Sequence, residues 1–437
     1  MARAAQQVSS VPDVPGVDSN SGFGMGNWRR LCAYWLPRYR PANNCHWRRA
    51  SSSIFRPVDL TPDASGYLDI IRSLAAMAVM FGHWRAFYFV DYAHVQPSMS
   101  TVPIKTIYFL TGFGHQAVMV FFVLSGLFIS SSVLRNLERS TWSWRNYVID
   151  RGVRLYLVLV PGLLLGALWD LVGVRFLNHS GIYSAPLVAF GSGVPAEQLN
   201  MSSFFGSLFF LQTRFTTVLG SNGPLWSLFN EFWYYVLFPV LIAVILSVKR
   251  RSVTVVVYVG VAILAALVLR GALSGFVVWL AGGSIALTSR YFRFTASRGW
   301  PGGVYALCAA ALAGICLFAA RANRGWLGSD LAVGLSFALL THGIVQLRVP
   351  LGTIGLRLAK TFAGFSYSLY VLHFPLLLLI RAKWLPIFRW QPDGTHLLLG
   401  AGIAAGVLFY AFAIAHITEQ KTSVVRSWVR RQFASAP

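Results

Sequence analysis

Acidic side chains are scarce in this sequence: 14 Asp and Glu stand against 37 Lys and Arg, and charged residues together make up 12% of 437 positions. Ordinary soluble domains carry about 25%, so a water-exposed globular fold is excluded. Lysine is absent from the first 60 residues, which hold eight arginines between Arg3 and Arg56 but no uninterrupted apolar core that would act as a secretory signal. Cysteine is limited to four. Cys32 and Cys45 lie in the basic N-terminal stretch and Cys308 and Cys316 share one apolar run, which gives neither a disulfide framework nor a zinc pattern. No internal repeat is visible, and no stretch is long and polar enough for a separate soluble domain.

What is abundant is apolar surface, with 56% hydrophobic residues and a mean hydropathy of +0.58. The net charge of +23 sits in short clusters between apolar runs, as in the inner loops of a membrane protein, and this argues against nucleic acid as a partner. Apolar runs predict helices at about 68–90, 107–132, 155–175, 224–247, 253–269, 273–289, 302–320, 328–346, 360–380 and 396–416. With the N-terminus inside, 26 Lys and Arg fall on the inner face and ten on the outer, Arg72 being the remaining one. The expected fold is therefore all-α: a polytopic transmembrane helical bundle of about ten spans with cytoplasmic N- and C-termini. Residues 1–60 read as a largely disordered basic tail, 61–418 as the transmembrane domain and 419–437 as a second basic tail. In the first tail, Trp28 to Arg40 interleaves aromatics with arginines. That stretch reads either as lying on the anionic inner leaflet or as an unstructured tail. The outer patch Ser203 to Leu211 is too short to span and reads as re-entrant or interfacial.

The first apolar run, YLDIIRSLAAMAVMFGHWRAFY, carries Arg72 near one end and His83 well inside. Eleven residues apart, they share nearly one helical stripe, roughly 16 Å apart along the axis. Ionisable groups in a span mark a candidate site; the alternative is a neutral packing histidine and an arginine that snorkels to the headgroups. FFVLSGLF places Ser125 and Gly126 where helices approach closely or a ligand has room. Arg151 and Arg154, three apart on one helix face, suit a phosphate or serve as positive-inside anchors. NGPLWSLFNEFWYY puts Glu231 in an aromatic run, where it needs a cation, a proton or a hydrated cavity, and His83 is the expected partner. In FSYSLYVLHFP, the hydroxyls and His373 either line the same cavity or, for His373, serve structure. His115, His342, His396 and His416 receive no role. Trp169 and Trp384 fit sugar stacking or interfacial anchoring equally.

With YLDIIRSLAAMAVMFGHW, FFVLSGLF, RGVR, GPLWSLFNEFWYYVLFP and FSYSLYVLHFP in this order, the chain resembles the integral-membrane acyltransferase 3 family over roughly residues 66–380. That family O-acylates sugars, polysaccharides and natural products. The resemblance implies an O-acyltransferase of the bacterial cytoplasmic (inner) membrane. Its donor substrate would be cytoplasmic acyl-CoA, usually acetyl-CoA, with no permanently bound cofactor and no metal. The acceptor would be a hydroxyl on a carbohydrate, glycolipid or other molecule. Carried over residue by residue, it implies that Arg72 and His83 are required for activity and that Arg151 and Arg154 serve the acyl donor. Ser125, Gly126 and Trp226 join the binding set, with Glu231 at the acidic position beside His83. Leu127 stands where the family often has Phe or Tyr, and no esterase-like domain follows the last span, so transfer would be completed here or by a separate partner. Acyl transfer needs a base, oxyanion donors and a grip on the CoA phosphates, and His83, Glu231 and the arginines meet two of these needs. Direct transfer and a covalent relay through His83 or Ser125 both stay open. The competing expectation is a proton-coupled transporter or flippase, against which the missing repeats weigh. A mere membrane anchor would leave Arg72, His83 and Glu231 without a reason.

Overall fold

The computed structural model describes residues 60–288, 300–347, 349–385 and 388–434. The basic N-terminal tail, its Trp28 to Arg40 stretch, Cys32 and Cys45 lie outside the described residues. Among the described residues, eight of the ten apolar runs fold as single helices, and the second and the ninth are each divided between two. The first, Pro62–Tyr88 (α1), begins where the Thr61 hydroxyl accepts the Ala64 N–H at 3.1 Å, with Pro62 at the first position and Asp63 in the first turn. The second run is broken, contrary to expectation: a short helix, Val102–Leu110 (α2), precedes the long Gly114–Glu138 (α3). The break falls at Thr111-Gly112-Phe113, and the Arg321 side chain lies where a β-carbon on Gly112 would go. The third helix, Trp144–Phe176 (α4), starts well before residue 155 because Ser143 caps it, so Arg151 and Arg154 lie on its early turns.

The stretch expected to be re-entrant or interfacial contains a short helix, Met201–Leu208 (α5), with Ser203 and Ser207 buried and Phe205 exposed. Then follow Leu225–Lys249 (α6), Thr254–Val268 (α7), Leu273–Thr288 (α8), Trp300–Arg321 (α9) and Asp330–Gln346 (α10). Gly352–Ala363 (α11) and Ser366–Trp384 (α12) form one pair bent by 44°. Gly394–Ile417 (α13) and Thr422–Ala434 (α14) end the described chain. Among the described residues six helices are long and apolar enough to cross a membrane, or up to seven if the bent pair counts as one span. The other three of the ten runs, α7, α8 and α10, hold 15 to 17 residues, so they reach only about 22–26 Å against a hydrocarbon core of about 30 Å.

Glycine sets the closest helix contact. A β-carbon on Gly126 would run into the Trp279 carbonyl and the Gly283 backbone, and one on Gly282 into Val123, so α3 and α8 meet backbone to backbone. Proline explains two polar side chains at other contacts. Pro239 inside α6 has no N–H for the Tyr235 carbonyl, and the Tyr147 hydroxyl of α4 donates there instead at 2.8 Å. Pro375 inside α12 likewise frees the Val371 carbonyl, which accepts from the Asn222 amide at 2.9 Å. This second contact ties the long outer segment to the helix that carries His373.

Outside the helices, the end of α1 is stapled to the linker before α13. Val90 and Trp390 exchange backbone hydrogen bonds with that linker and with Tyr88, and Arg389 grips Asp91 with contacts of 3.0 and 2.6 Å. The Arg389 guanidinium hydrogen-bonded to Asp91 holds that carboxyl below the usual carboxylate range.

Candidate functional site

His83 Nδ1 lies 2.8 Å from His373 Nε2, and His373 Nδ1 lies 2.8 Å from the Leu369 carbonyl. A carbonyl only accepts, so His373 must carry its proton on Nδ1 and offer a bare Nε2. His83 must then donate from Nδ1, which leaves His83 Nε2 unprotonated in the neutral dyad. His373 is completely buried, whereas His83 keeps part of its surface accessible. Phe190 and Phe374 present their edges to the His83 ring at centroid distances of 5.7 and 5.0 Å. The chain has thus built, inside an aromatic sleeve, an oriented imidazole with one free acceptor nitrogen.

The expected pairing of His83 with Glu231 is replaced by this dyad. Glu231 instead accepts a short hydrogen bond from the Tyr235 hydroxyl one turn along α6. Ser125 donates to Tyr235 at 3.3 Å, and the Trp279 indole N–H donates to Ser125 at 3.1 Å. Every proton in the chain Trp279, Ser125, Tyr235 points toward the Glu231 carboxylate, which satisfies the buried donors and fixes Ser125. Gly126 serves the backbone approach to α8.

Between these groups runs one stripe of α12. Tyr367, Tyr370 and His373 are spaced by three and follow one another along the helix. The Tyr370 hydroxyl lies 2.5 Å from Ser227 and 2.8 Å from the Pro224 carbonyl, and its ring centroid is 6.2 Å from that of His373. Tyr367 lies within electrostatic reach of Glu231, Tyr235, Glu419 and Arg154.

Near the N-terminal end of the stripe, Arg72 pairs with Asp69 at 3.0 Å and reaches the Ala363 carbonyl at 3.4 Å. Arg72 and Arg154 come within electrostatic reach of each other and of Glu419. Glu419 accepts from the Ser368 N–H and hydroxyl, both at 2.9 Å, so it caps a helix whose own cap position, Phe365, supplies no side-chain acceptor. Arg151 sits one turn before Arg154, over the Tyr147 ring at 5.9 Å. The Nε–H groups of Arg72 and Arg151 are buried without an acceptor, a cost that an incoming anion would offset. Trp226 lies elsewhere, stacked on His115 of the first turn of α3 at 5.9 Å. Trp169 donates to Tyr410 at 3.0 Å, and Trp384 is exposed.

Among the described residues no cluster of His, Cys, Asp and Glu could hold a metal ion. The arrangement joins a base, a hydrogen-bonded acid and an arginine pair along a single polar stripe through an apolar bundle. Sequence reasoning left His373 between lining the cavity and serving structure, and gave His115 no role. The i, i+3, i+6 spacing of Tyr367, Tyr370 and His373 was the signal available for the first. Nothing in the sequence joined His115 to Asp330, 215 positions away.

No curated protein and no solved structure matches this chain. Residues 65–417, most of the chain, match the family model of an acyltransferase domain. The chain belongs to the acyltransferase 3 family.

Proposed function

We propose that the protein is a membrane O-acyltransferase that moves an acyl group, acetyl by family default, from cytoplasmic acyl-CoA to a hydroxyl of a carbohydrate or glycolipid acceptor. The observation that carries this reading is the free Nε2 of His83, oriented by His373 on α12, on the same helix as Arg72, which lies within electrostatic reach of Arg154 on α4. His83 Nε2 removes the acceptor hydroxyl proton as the oxygen attacks the thioester carbonyl. The tetrahedral intermediate collapses, the C–S bond breaks, and the proton passes to the departing thiolate, giving ester and free CoA. Arg72, Arg151 and Arg154 take the phosphates of the donor at the inner face, where two buried Nε–H groups lack acceptors. His373 is a positioning residue that fixes the tautomer. Glu231, held by Tyr235, accepts a hydrogen bond from the substrate.

The supporting topology is ten passes with both termini in the cytoplasm of a bacterial inner membrane, the arrangement that puts 26 basic residues inside. In it α1 runs outward, so Arg72 faces the donor side and His83 the acceptor side. The test is transfer from labelled acetyl-CoA by purified protein in micelles: wild type should transfer, and Arg72→Gln should raise the KM for acetyl-CoA about tenfold or more. An unchanged KM in Arg72→Gln would remove Arg72 from the donor site.

A further inference from the structure

Between the first turns of α3, α6 and α10 and the α7–α8 turn lies a second cavity of about 330 Å³, lined among others by His115, Trp226, Asn230, Arg214, Arg270 and Asp330. On the ten-pass topology all of these elements end on the outer face. We propose that this vestibule binds an anionic sugar ring of the acceptor, its charge a carboxylate or a phosphate; the inference rests on the acyltransferase reading and names the substrate class.

Three observations carry it. The first is charge. Asp330 is committed to His115, with both carboxylate oxygens 2.9 and 3.0 Å from its Nε2, while neither Arg214 nor Arg270 has an ion-pair partner among the described residues. Two guanidinium groups that share a concave site suit an oxyanion.

The second is the wall. Trp226 and His115 stack with planes 21° apart, and Phe122 sets its ring edge-on to Trp226. The flat aromatic platform fits the C–H face of a pyranose, and Asn230 offers an amide to its hydroxyls.

The third is a backbone held out of its ordinary range. Arg214 sits in a tight loop closed by Thr213 N–H to the Thr216 carbonyl at 2.8 Å. In or beside it, Phe210 and Thr213 adopt φ of +55° and +70°. Gln212 at its base is fully buried and donates to the Leu225 carbonyl at 3.1 Å. Such strain in non-glycine residues clusters at ligand clamps.

The vestibule lies at the depth of His83 but on the other side of α3. Gly82, next to His83, packs against Gly114, next to His115, with a β-carbon on Gly82 meeting Gly114 Cα at 3.5 Å. One helix diameter, about 10 Å, separates the anchored ring from the base. The ring bound here is therefore not the one acylated. The acceptor is longer than one sugar, and an acidic unit sets which neighbouring hydroxyl reaches His83.

The test uses full-length protein in detergent and three probes: methyl glucuronide, glucose 1-phosphate and neutral methyl glucoside, with binding read by tryptophan fluorescence and calorimetry. At low salt at least one anionic probe should bind about tenfold or more tighter than the glucoside, and which one it is assigns carboxylate or phosphate. Arg214→Gln and Arg270→Gln should each erase most of that preference, and high salt should weaken it. Equal binding of charged and neutral probes by the wild type, or an undiminished preference in both well-folded variants, would overturn the proposal. The wild-type comparison decides alone if the variants fail to fold. Acetyl transfer to neutral acceptors without any anionic preference would sink the vestibule and spare the acyltransferase reading; anionic binding without transfer from acetyl-CoA would do the reverse.

Discussion

Replacing His373 by phenylalanine keeps an aromatic ring beside His83 but removes the nitrogen that accepts its Nδ1 proton. His83 is then free to carry its proton on either nitrogen. We expect kcat to fall about 100-fold with the KM for acyl-CoA unchanged, a split that a merely structural role would not give. Purified His373→Phe with equal losses in thermal stability and activity would remove the positioning role. Tyr235→Phe tests the second chain: it leaves the Ser125 hydroxyl and the Glu231 carboxylate without their shared partner. It should cost about 1–3 kcal/mol of stability, read as a lower melting temperature in detergent. The sequence made His83 conspicuous because a histidine that deep in an apolar run stands out. It misjudged the partner because His83 and Glu231 were both read as lying in the outer halves of their helices, while the contact with His373 spans 290 positions and depends on how α12 is rotated.

Elements were legible to the extent that hydrophobicity alone fixes them. All ten apolar runs became helical, but their bounds moved: the second split at Gly112, the ninth split between Ala363 and Ser366, and the Thr61 and Ser143 caps started α1 and α4 early. These shifts come from local turn and cap chemistry that a hydropathy window averages away. Helix contacts depend on singular residues. Asn222→Leu should cost about 1–3 kcal/mol, because the Val371 carbonyl freed by Pro375 loses its donor, and the melting temperature should fall accordingly. Tyr147→Phe should do the same at Pro239. At the outer staple, Asp91 has its carboxyl pKa depressed by Arg389, so the clamp contributes stability above the unfolded value near 3.9 and loses it as pH falls through the folded one. The melting-temperature difference between wild type and Asp91→Asn should be small, since the pair is partly exposed. It should stay constant at pH values above the ordinary carboxylate range and shrink as the pH falls below it. A difference that grows on acidification would contradict the clamp.

On the scale of the whole molecule, the proposed topology puts Arg72, Arg154 and Glu419 toward an inner face and the His115 vestibule, level with His83, toward an outer one. With only four cysteines to replace, single-cysteine labelling tests this division. Ser100→Cys should react with an impermeant maleimide from outside, and Ser140→Cys only after the membrane is opened; the reverse pattern would invert the topology. The proposed vestibule was only partly legible from sequence, because its residues come from five separate segments and only the Trp226–Asn230 segment belongs to a motif. The central claim is that His83 is the base of an acyl transfer, and its most direct measurement compares wild type with His83→Ala in the source cell by mass spectrometry of surface glycans and lipids. The account predicts that the variant reaches the membrane in normal amount while an increment of about 42 Da per acetyl group disappears with the base. An increment retained in membrane-inserted His83→Ala would show that His83 only packs, and unchanged surface chemistry in the deletion strain would turn the arginine, histidine and glutamate of this bundle toward a carrier.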